Sequence, residues 1–182
     1  MENSDQNYPL YSQGFEHDAC GIGAVVSIDG VASHGIVDDA LSIVERLEHR
    51  AGKDATGEVG DGVGLLVQIP HRFFLMQGLS LGQPRDYGVG MFFFPQDSLK
   101  RRQAQKLCEV ICSKEGVKFL GWREVPVDAQ ILGQRARDTM PAIWQCFVAR
   151  PPEIPRGLDF ERKLYVIRRV FEQSSDGTYV CS

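Results

Sequence analysis

The stretch Asp18-Ala19-Cys20-Gly21-Ile22-Gly23 constrains this 182-residue chain most, because it places a thiol at the start of the first β-prone run. The two glycines leave little side-chain bulk beside the sulfur. If the bond before Cys20 were cut, that residue would carry both a thiol and a free α-amine. An α-amine has a pKa of about 8 in model peptides and could accept the thiol proton. Cys20 is therefore a candidate nucleophile, and the alternative is a small buried residue, as unpaired cysteines commonly are.

Two segments of different character divide the chain. Residues 1–19 are mostly polar and have few apolar anchors, which predicts a leader. They lack the positively charged start and apolar core of a secretory signal. Residues 20–182 contain the periodic apolar patterns of a folded domain. No apolar run approaches the roughly 20 residues that span a bilayer, so no membrane partner is predicted.

Charge and cysteine content narrow the functional classes. The formal net charge is −4, which gives no basic surplus for a phosphate backbone, so nucleic acid is not a predicted partner. The five cysteines are odd in number and scattered, which argues against a disulfide scaffold. This pattern is typical of a reducing compartment, and we predict a cytoplasmic protein.

Hydrophobic periodicity predicts an α+β fold in which helices cover the sheets. The strands come as hairpins or after long excursions, whereas a parallel sheet would need regular βαβ units. Strands are predicted over 21–28, 31–36, 65–69, 87–94, 118–127, 143–148 and 178–181. Helices are predicted over 38–50, 97–115, a short stretch up to 139, and 159–173.

Three other features of the sequence are candidate sites. The glycine-rich run Gly60–Gly64 precedes a predicted strand, so it lacks the strand-to-helix context of a nucleotide loop. Cys108 and Cys112 lie one turn apart on a predicted helix, without further ligands at metal spacing, and we expect them in the core. His49 lies at the end of the first predicted helix and could pair with Cys20, as in a Cys–His thiol hydrolase.

Several segments, in order and at compatible spacing, resemble the glutaminase domain of glutamate synthase, a class II glutamine amidotransferase. The resemblance covers about residues 16–182. Its segments are Cys20–Gly23, Leu47–Gly52, Thr56–Gly64, Gln68–Phe74, Gly121–Asp128 and Asp159–Arg169.

The resemblance implies an N-terminal-nucleophile fold, an αββα sandwich of antiparallel sheets flanked by helices, incomplete at its C-terminal end here. It implies that residues 1–19 are removed as a propeptide and that the Cys20 thiolate forms a γ-glutamyl thioester with glutamine. Arg50 matches the family's arginine beside the nucleophile, although Ala51 follows it where the family more often has glycine. The Thr56–Gly64 loop matches well but has no assigned step, and a purely structural turn is the alternative.

The resemblance also implies partners in nitrogen assimilation. These are L-glutamine and the remaining domains and subunits of glutamate synthase, an oxidoreductase in which ammonia would convert 2-oxoglutarate to glutamate. Its FMN and iron–sulfur cluster are expected elsewhere, so we predict no cofactor and no metal in this chain. The family's oxyanion-hole and substrate-gripping residues have no counterpart here, so the chain alone is expected to be inactive. A non-catalytic subunit-contact module that keeps its leader is the alternative.

Overall fold

The computed structural model of the protein describes residues 21–53, 55–57, 59–60 and 62–181. The chain forms two compact units, Met1–Leu66 and Val67–Ser182, and each is described by itself. The predicted leader and Cys20 lie outside the described residues.

One helix organises the described part of the first unit. Helix α1 spans His34–Arg46 and continues into a 3-10 helix over Glu48–Arg50. It begins four residues earlier than predicted. Ser33 still has extended backbone angles, and the helix starts at the next residue. At the other end the Leu47 amide donates to both Ile43 O and Val44 O, each at 3.1 Å, which marks the tightening into 3-10 geometry.

The strands predicted over 21–28, 31–36 and 65–69 are wrong. The tight turn at Asp29-Gly30 does form, since the Gly30 amide donates to Ser27 O at 3.2 Å and Gly30 has φ 67°. Its flanks do not pair, however, and Ile28 is 99% exposed, as Leu66 is at 96%. A β-prone segment becomes a strand only beside a hydrogen-bonded neighbour, and these segments have none within the described residues.

A four-stranded antiparallel sheet organises the second unit, so the predicted α+β class is confirmed. The strand order is β2-β3-β1-β4. The strands are β1 (Tyr87–Phe94), β2 (Lys118–Glu124), β3 (Ala142–Ala149) and β4 (Tyr179–Cys181). Each overlaps a predicted strand.

Two long helices cover one face of this sheet. The helices of this unit are α2 (His71–Met76), α3 (Ser98–Lys114), α4 (Gln134–Thr139) and α5 (Leu158–Ser174). Asp97 caps α3 as predicted, accepting hydrogen bonds from the Leu99 and Lys100 amides at 2.8 and 3.1 Å. Gly116, at φ 70°, ends it, and the Val117 amide closes the last turn on Cys112 O at 2.8 Å. Sequence periodicity did not predict α2, which has only six residues.

The main core lies between the sheet and helices α3 and α5. Alternate residues of β1, among them Phe92 and Phe94, point into it. Phe171 of α5 is fully buried and meets the Phe92 ring edge-on at a centroid distance of 5.1 Å. Cys108, Cys112 and Cys146 belong to the same cluster.

A smaller cluster lies on the opposite face of the sheet. Phe74 of α2 packs edge-on against Phe147, with ring centroids 4.9 Å apart, and Tyr87 lies beside them. Burial raises the pKa of Tyr87, whose hydroxyl lies 3.1 Å from His71 Nδ1. This cluster fixes α2 on the sheet. In the part of the chain that the structure describes, no helix is long and apolar enough to cross a membrane.

A carboxylate with two arginine partners joins the ends of β1 and β3. Asp86 Oδ1 accepts from Arg150 Nη2 at 2.8 Å, and Asp86 Oδ2 accepts from Arg156 Nη2 at 2.7 Å. The hydrogen bonds from Arg156 and then Arg150 hold the pKa of Asp86 far below its usual 3.8. Asp86 thereby connects the sheet to the segment that leads into α5.

We expect Asp86→Asn to lower the melting temperature at pH 7, and the deficit to shrink as the pH falls below about 4. A carboxyl whose pKa is depressed by folding contributes stability above its unfolded pKa and loses it as it protonates. Thermal unfolding followed by circular dichroism from pH 7 to pH 2 measures the difference. Asp159→Asn is the control, since the one ion-pair partner of Asp159 among the described residues is the exposed Arg162. If Asp86→Asn lowers the melting temperature by the same amount at every pH, the charge of Asp86 does not stabilise the fold.

Candidate active site

The segment that follows Cys20 lies against one face of α1 and the 3-10 helix. A Cβ built on Gly21 would lie 3.1 Å from Leu47 Cδ2 and 3.4 Å from Arg50 Cδ. A Cβ on Gly23 would lie 2.4 Å from Ile43 Cγ2. The earlier glycine meets the later helical residues, so the segment runs antiparallel to the helix.

The two glycines differ in what they would tolerate. At 2.4 Å a Cβ on Gly23 would overlap the branched side chain of Ile43, so any other residue would push the segment away from α1. At Gly21 the contact is with flexible methyl groups of Leu47, which could shift by a few tenths of an ångström. Gly23 therefore sets how closely the backbone after Cys20 approaches the helix.

The Cδ atom of the Arg50 side chain lies next to Gly21. Arg50 ends the 3-10 helix, and its amide donates to Leu47 O at 2.9 Å. Its guanidinium makes no hydrogen bond or ion pair with any residue that the structure describes. Because a guanidinium does not lose its proton in proteins, Arg50 cannot act as a base and can only bind or stabilise negative charge.

The acidic neighbour of Arg50 is already neutralised. Lys53 Nζ lies 2.6 Å from Glu48 Oε1, and this hydrogen bond holds the pKa of Glu48 below its usual value. Glu48 therefore remains an anion paired with Lys53.

His49 contacts the backbone of α1. Its Nδ1 lies 2.9 Å from Arg46 O, and a carbonyl only accepts, so Nδ1 is the protonated nitrogen. In this tautomer the lone pair is on Nε2. The Cys–His alternative would need that atom near the Cys20 sulfur, which lies outside the described residues, so this alternative stays open.

The glycine-rich loop after Arg50 is a closed turn. Lys53 and Gly60 form an antiparallel bridge, and a Cβ on Gly60 would lie 2.9 Å from Gly52 O. Gly57 adopts φ 71°, which an L side chain rarely takes. These glycines have steric reasons to be there, and the described part of the loop adjoins no helix N-terminus that could hold a phosphate.

The internal cysteines are core residues, as predicted for Cys108 and Cys112. Cys108, Cys112 and Cys146 are 1%, 0% and 3% exposed. Hydrogen bonds with the other two thiols, and then burial, raise the pKa of Cys146. The described residues contain no group of three or more His, Cys, Asp or Glu placed to hold a metal. An inaccessible thiol is a poor nucleophile, which leaves Cys20 as the stronger candidate.

The structure therefore brings one predicted site residue, Arg50, to the segment that begins at Gly21. The catalytic role of Cys20 stays a prediction. The sequence places Ile43 and Leu47 on the apolar face of the first helix, but it did not predict that they contact Gly23 and Gly21. Ile43 and Leu47 are four residues apart and so share one face of the helix, and Gly21 and Gly23 are two residues apart and share one side of an extended segment. This match in spacing was the signal available in the sequence.

Comparison with known proteins identifies the family. The model of the class-II glutamine amidotransferases matches residues 20–182. The chain belongs to this family. Its antiparallel α+β architecture is consistent with the N-terminal-nucleophile fold expected of a class-II glutamine amidotransferase.

Several curated proteins are similar to this amidotransferase domain. The glutamate synthase (NADPH) large chain of Bacillus subtilis (strain 168) is 41% identical over 165 residues, which cover 90% of this chain and 11% of that protein. Ferredoxin-dependent glutamate synthase 1 of Arabidopsis thaliana is 43% identical over 177 residues, which cover 92% and 11%. The glutamate synthase (NADPH) large chain of Azospirillum brasilense is 34% identical over 184 residues, which cover 94% and 12%. The chain thus spans about a tenth of the length of these relatives.

Proposed function

We propose that this chain carries the glutaminase nucleophile of a glutamate synthase and takes part in hydrolysing L-glutamine to L-glutamate and ammonia. The observation that carries the proposal is membership of the class-II glutamine amidotransferases over residues 20–182. The contact of Gly21 with Arg50 supports it, because Gly21 is the residue bonded to Cys20.

The proposed reaction begins with removal of residues 1–19, which leaves Cys20 with a free α-amine. The amine takes the thiol proton, and the thiolate adds to the side-chain amide carbon of glutamine. The tetrahedral intermediate collapses as the C–N bond breaks, and the ammonium returns its proton to the departing nitrogen, which leaves as ammonia. Water then adds to the thioester with the amine as base, and cleavage of the C–S bond releases glutamate and restores the thiol.

Arg50 has two roles open to it in this scheme. Its Cδ atom would lie 3.4 Å from a Cβ built on Gly21, and Gly21 is the residue bonded to Cys20. A cation near a thiol favours the thiolate, and a cation near the amide carbon stabilises the tetrahedral oxyanion. Either role requires the charge without a protein counter-ion.

The wider reaction belongs to the longer protein in our proposal. Ammonia would pass to a synthase site that makes glutamate from 2-oxoglutarate, with FMN and an iron–sulfur cluster bound outside this chain. The names of the relatives include both NADPH and ferredoxin forms.

Replacing Arg50 tests the proposal. We expect Arg50→Gln to lower kcat/KM for ammonia release from L-glutamine by about a hundred-fold in the full polypeptide that carries this chain. Arg50→Lys should lower kcat/KM less, since lysine keeps the positive charge but lacks the paired N–H donors of the planar guanidinium. Arg46→Gln is the control, because it removes a neighbouring positive charge that does not contact Gly21. Wild-type kinetics from Arg50→Gln would show that the charge serves no step of the reaction.

A further inference from the structure

A cleft of about 420 Å³ opens between the first half of α3 and the turn that links α5 to β4. This volume lies within the range of about 300–1,000 Å³ typical of small-molecule sites. Apolar side chains line one part of it, namely Pro95, Ala104 and Leu107. The remainder is polar and includes Lys100, Gln103, Ser174, Asp176 and Thr178.

The cleft presents one cation and one anion. Neither Lys100 nor Asp176 forms an ion pair with any described residue, although other charges on the same helices do. Lys106 of α3 pairs with Glu109 at 3.0 Å, for example, and Lys163 of α5 reaches Glu115 at 2.7 Å. A cleft with one positive and one negative side chain, neither of them in an ion pair, suits a ligand that carries a negative and a positive group.

The end of α5 strengthens the negative side of this cleft. Ser174 is the last residue of α5, so Asp176 follows the end of the helix at which exposed carbonyls favour an ammonium. At the start of α3 the Leu99 and Lys100 amides already donate to Asp97, so the positive side of the cleft is the Lys100 side chain alone.

One hydroxyl provides a further polar contact. Ser174 Oγ donates to Val170 O at 2.7 Å, which leaves its own oxygen free to accept. Gly177, at φ 71°, makes the turn that brings these groups to the cleft.

We propose that this cleft binds a small zwitterion of the α-amino acid class. The ligand carboxylate lies at the Lys100 side chain, and the ligand ammonium lies at Asp176 and the end of α5. Ser174 Oγ accepts a hydrogen bond from the ammonium, and the apolar part formed by Ala104 and Leu107 receives the carbon atoms of the ligand. The site lies wholly within the second unit and does not depend on the proposed glutaminase reaction.

L-Alanine is the probe of choice, because it carries both charges and lacks the side-chain amide that a glutaminase attacks. Titration of the ¹⁵N-labelled chain should shift the amide signals of Ser174–Thr178, with a Kd in the millimolar range expected of so small a ligand. N-acetyl-L-alanine lacks the ammonium and L-alaninamide lacks the carboxylate, so each should bind about tenfold more weakly.

Charge-removing variants complete the test. Lys100→Gln and Asp176→Asn should each weaken L-alanine binding about tenfold, whereas Lys114→Gln and Asp138→Asn, which do not line the cleft, should leave it unchanged. Three results would overturn the proposal: no shifts at the cleft, binding of both single-charge analogues as tight as that of L-alanine, or equal loss from the control variants. If L-alanine binds as expected but the full polypeptide releases no ammonia from L-glutamine, the proposed glutaminase function fails and the amino-acid site stands.

Discussion

Replacing Cys20 by alanine in the full polypeptide should reduce ammonia release from L-glutamine by at least about a thousand-fold. The reason is that the proposed thioester cannot form without the sulfur, and binding alone recovers only a small part of the rate. Steady-state assays of ammonia and glutamate measure the loss. The active wild-type enzyme should show Cys20 as its first residue on N-terminal sequencing.

Cys181→Ala is the matched control, since Cys181 is a partly exposed thiol of β4 with no proposed role. It should retain wild-type rates. Fully active enzyme that begins at Met1 or Glu2 would exclude the α-amine as the base. Full activity of Cys20→Ala would remove the thioester mechanism altogether.

Replacing Phe171 by alanine should lower the free energy of unfolding by about 3–5 kcal/mol. The side chain is fully buried in the core between α5 and the sheet, where its ring meets that of Phe92 edge-on. Its removal leaves a cavity that the rigid sheet cannot close. Urea unfolding of the 182-residue chain, followed by circular dichroism, gives the change from the midpoint at constant slope.

Leu158→Ala on the same helix is the comparison. Leu158 is 73% exposed, so its loss should change the free energy of unfolding by no more than about 0.5 kcal/mol. Equal effects of the two substitutions would mean that the helix does not pack on the sheet through Phe171.

Sequence periodicity predicted the second unit well, because local signals and tertiary contacts agree there. Strand β1 has the predicted bounds, and α3 is capped by the predicted Asp97. Both elements bury one alternating or helical face in a shared core. Helix α2 was missed because six residues are too few to show a period, and its position depends on Phe74 meeting Phe147.

The first unit was predicted less well, since β-propensity cannot say whether a partner strand exists. The run 21–28 is β-prone, yet within the described residues it lies against α1 and not beside a strand. The predicted importance of Arg50 rested on resemblance. Its contact with Gly21 depends on how closely Gly23 approaches Ile43, a distance that no local pattern contains.

The sheet joins strands that are far apart in the chain. Tyr87 pairs with Ala149, and Met91 pairs with Cys181, so β1 has no neighbour in the strand that follows it. During synthesis β1 cannot pair until β3 has been made, whereas α3 can form from local contacts alone. Until then the run Phe92-Phe93-Phe94 has two unpaired edges, and such edges are templates for pairing with other chains. The interval between the synthesis of β1 and β3, more than the final stability, will therefore govern aggregation of the nascent protein.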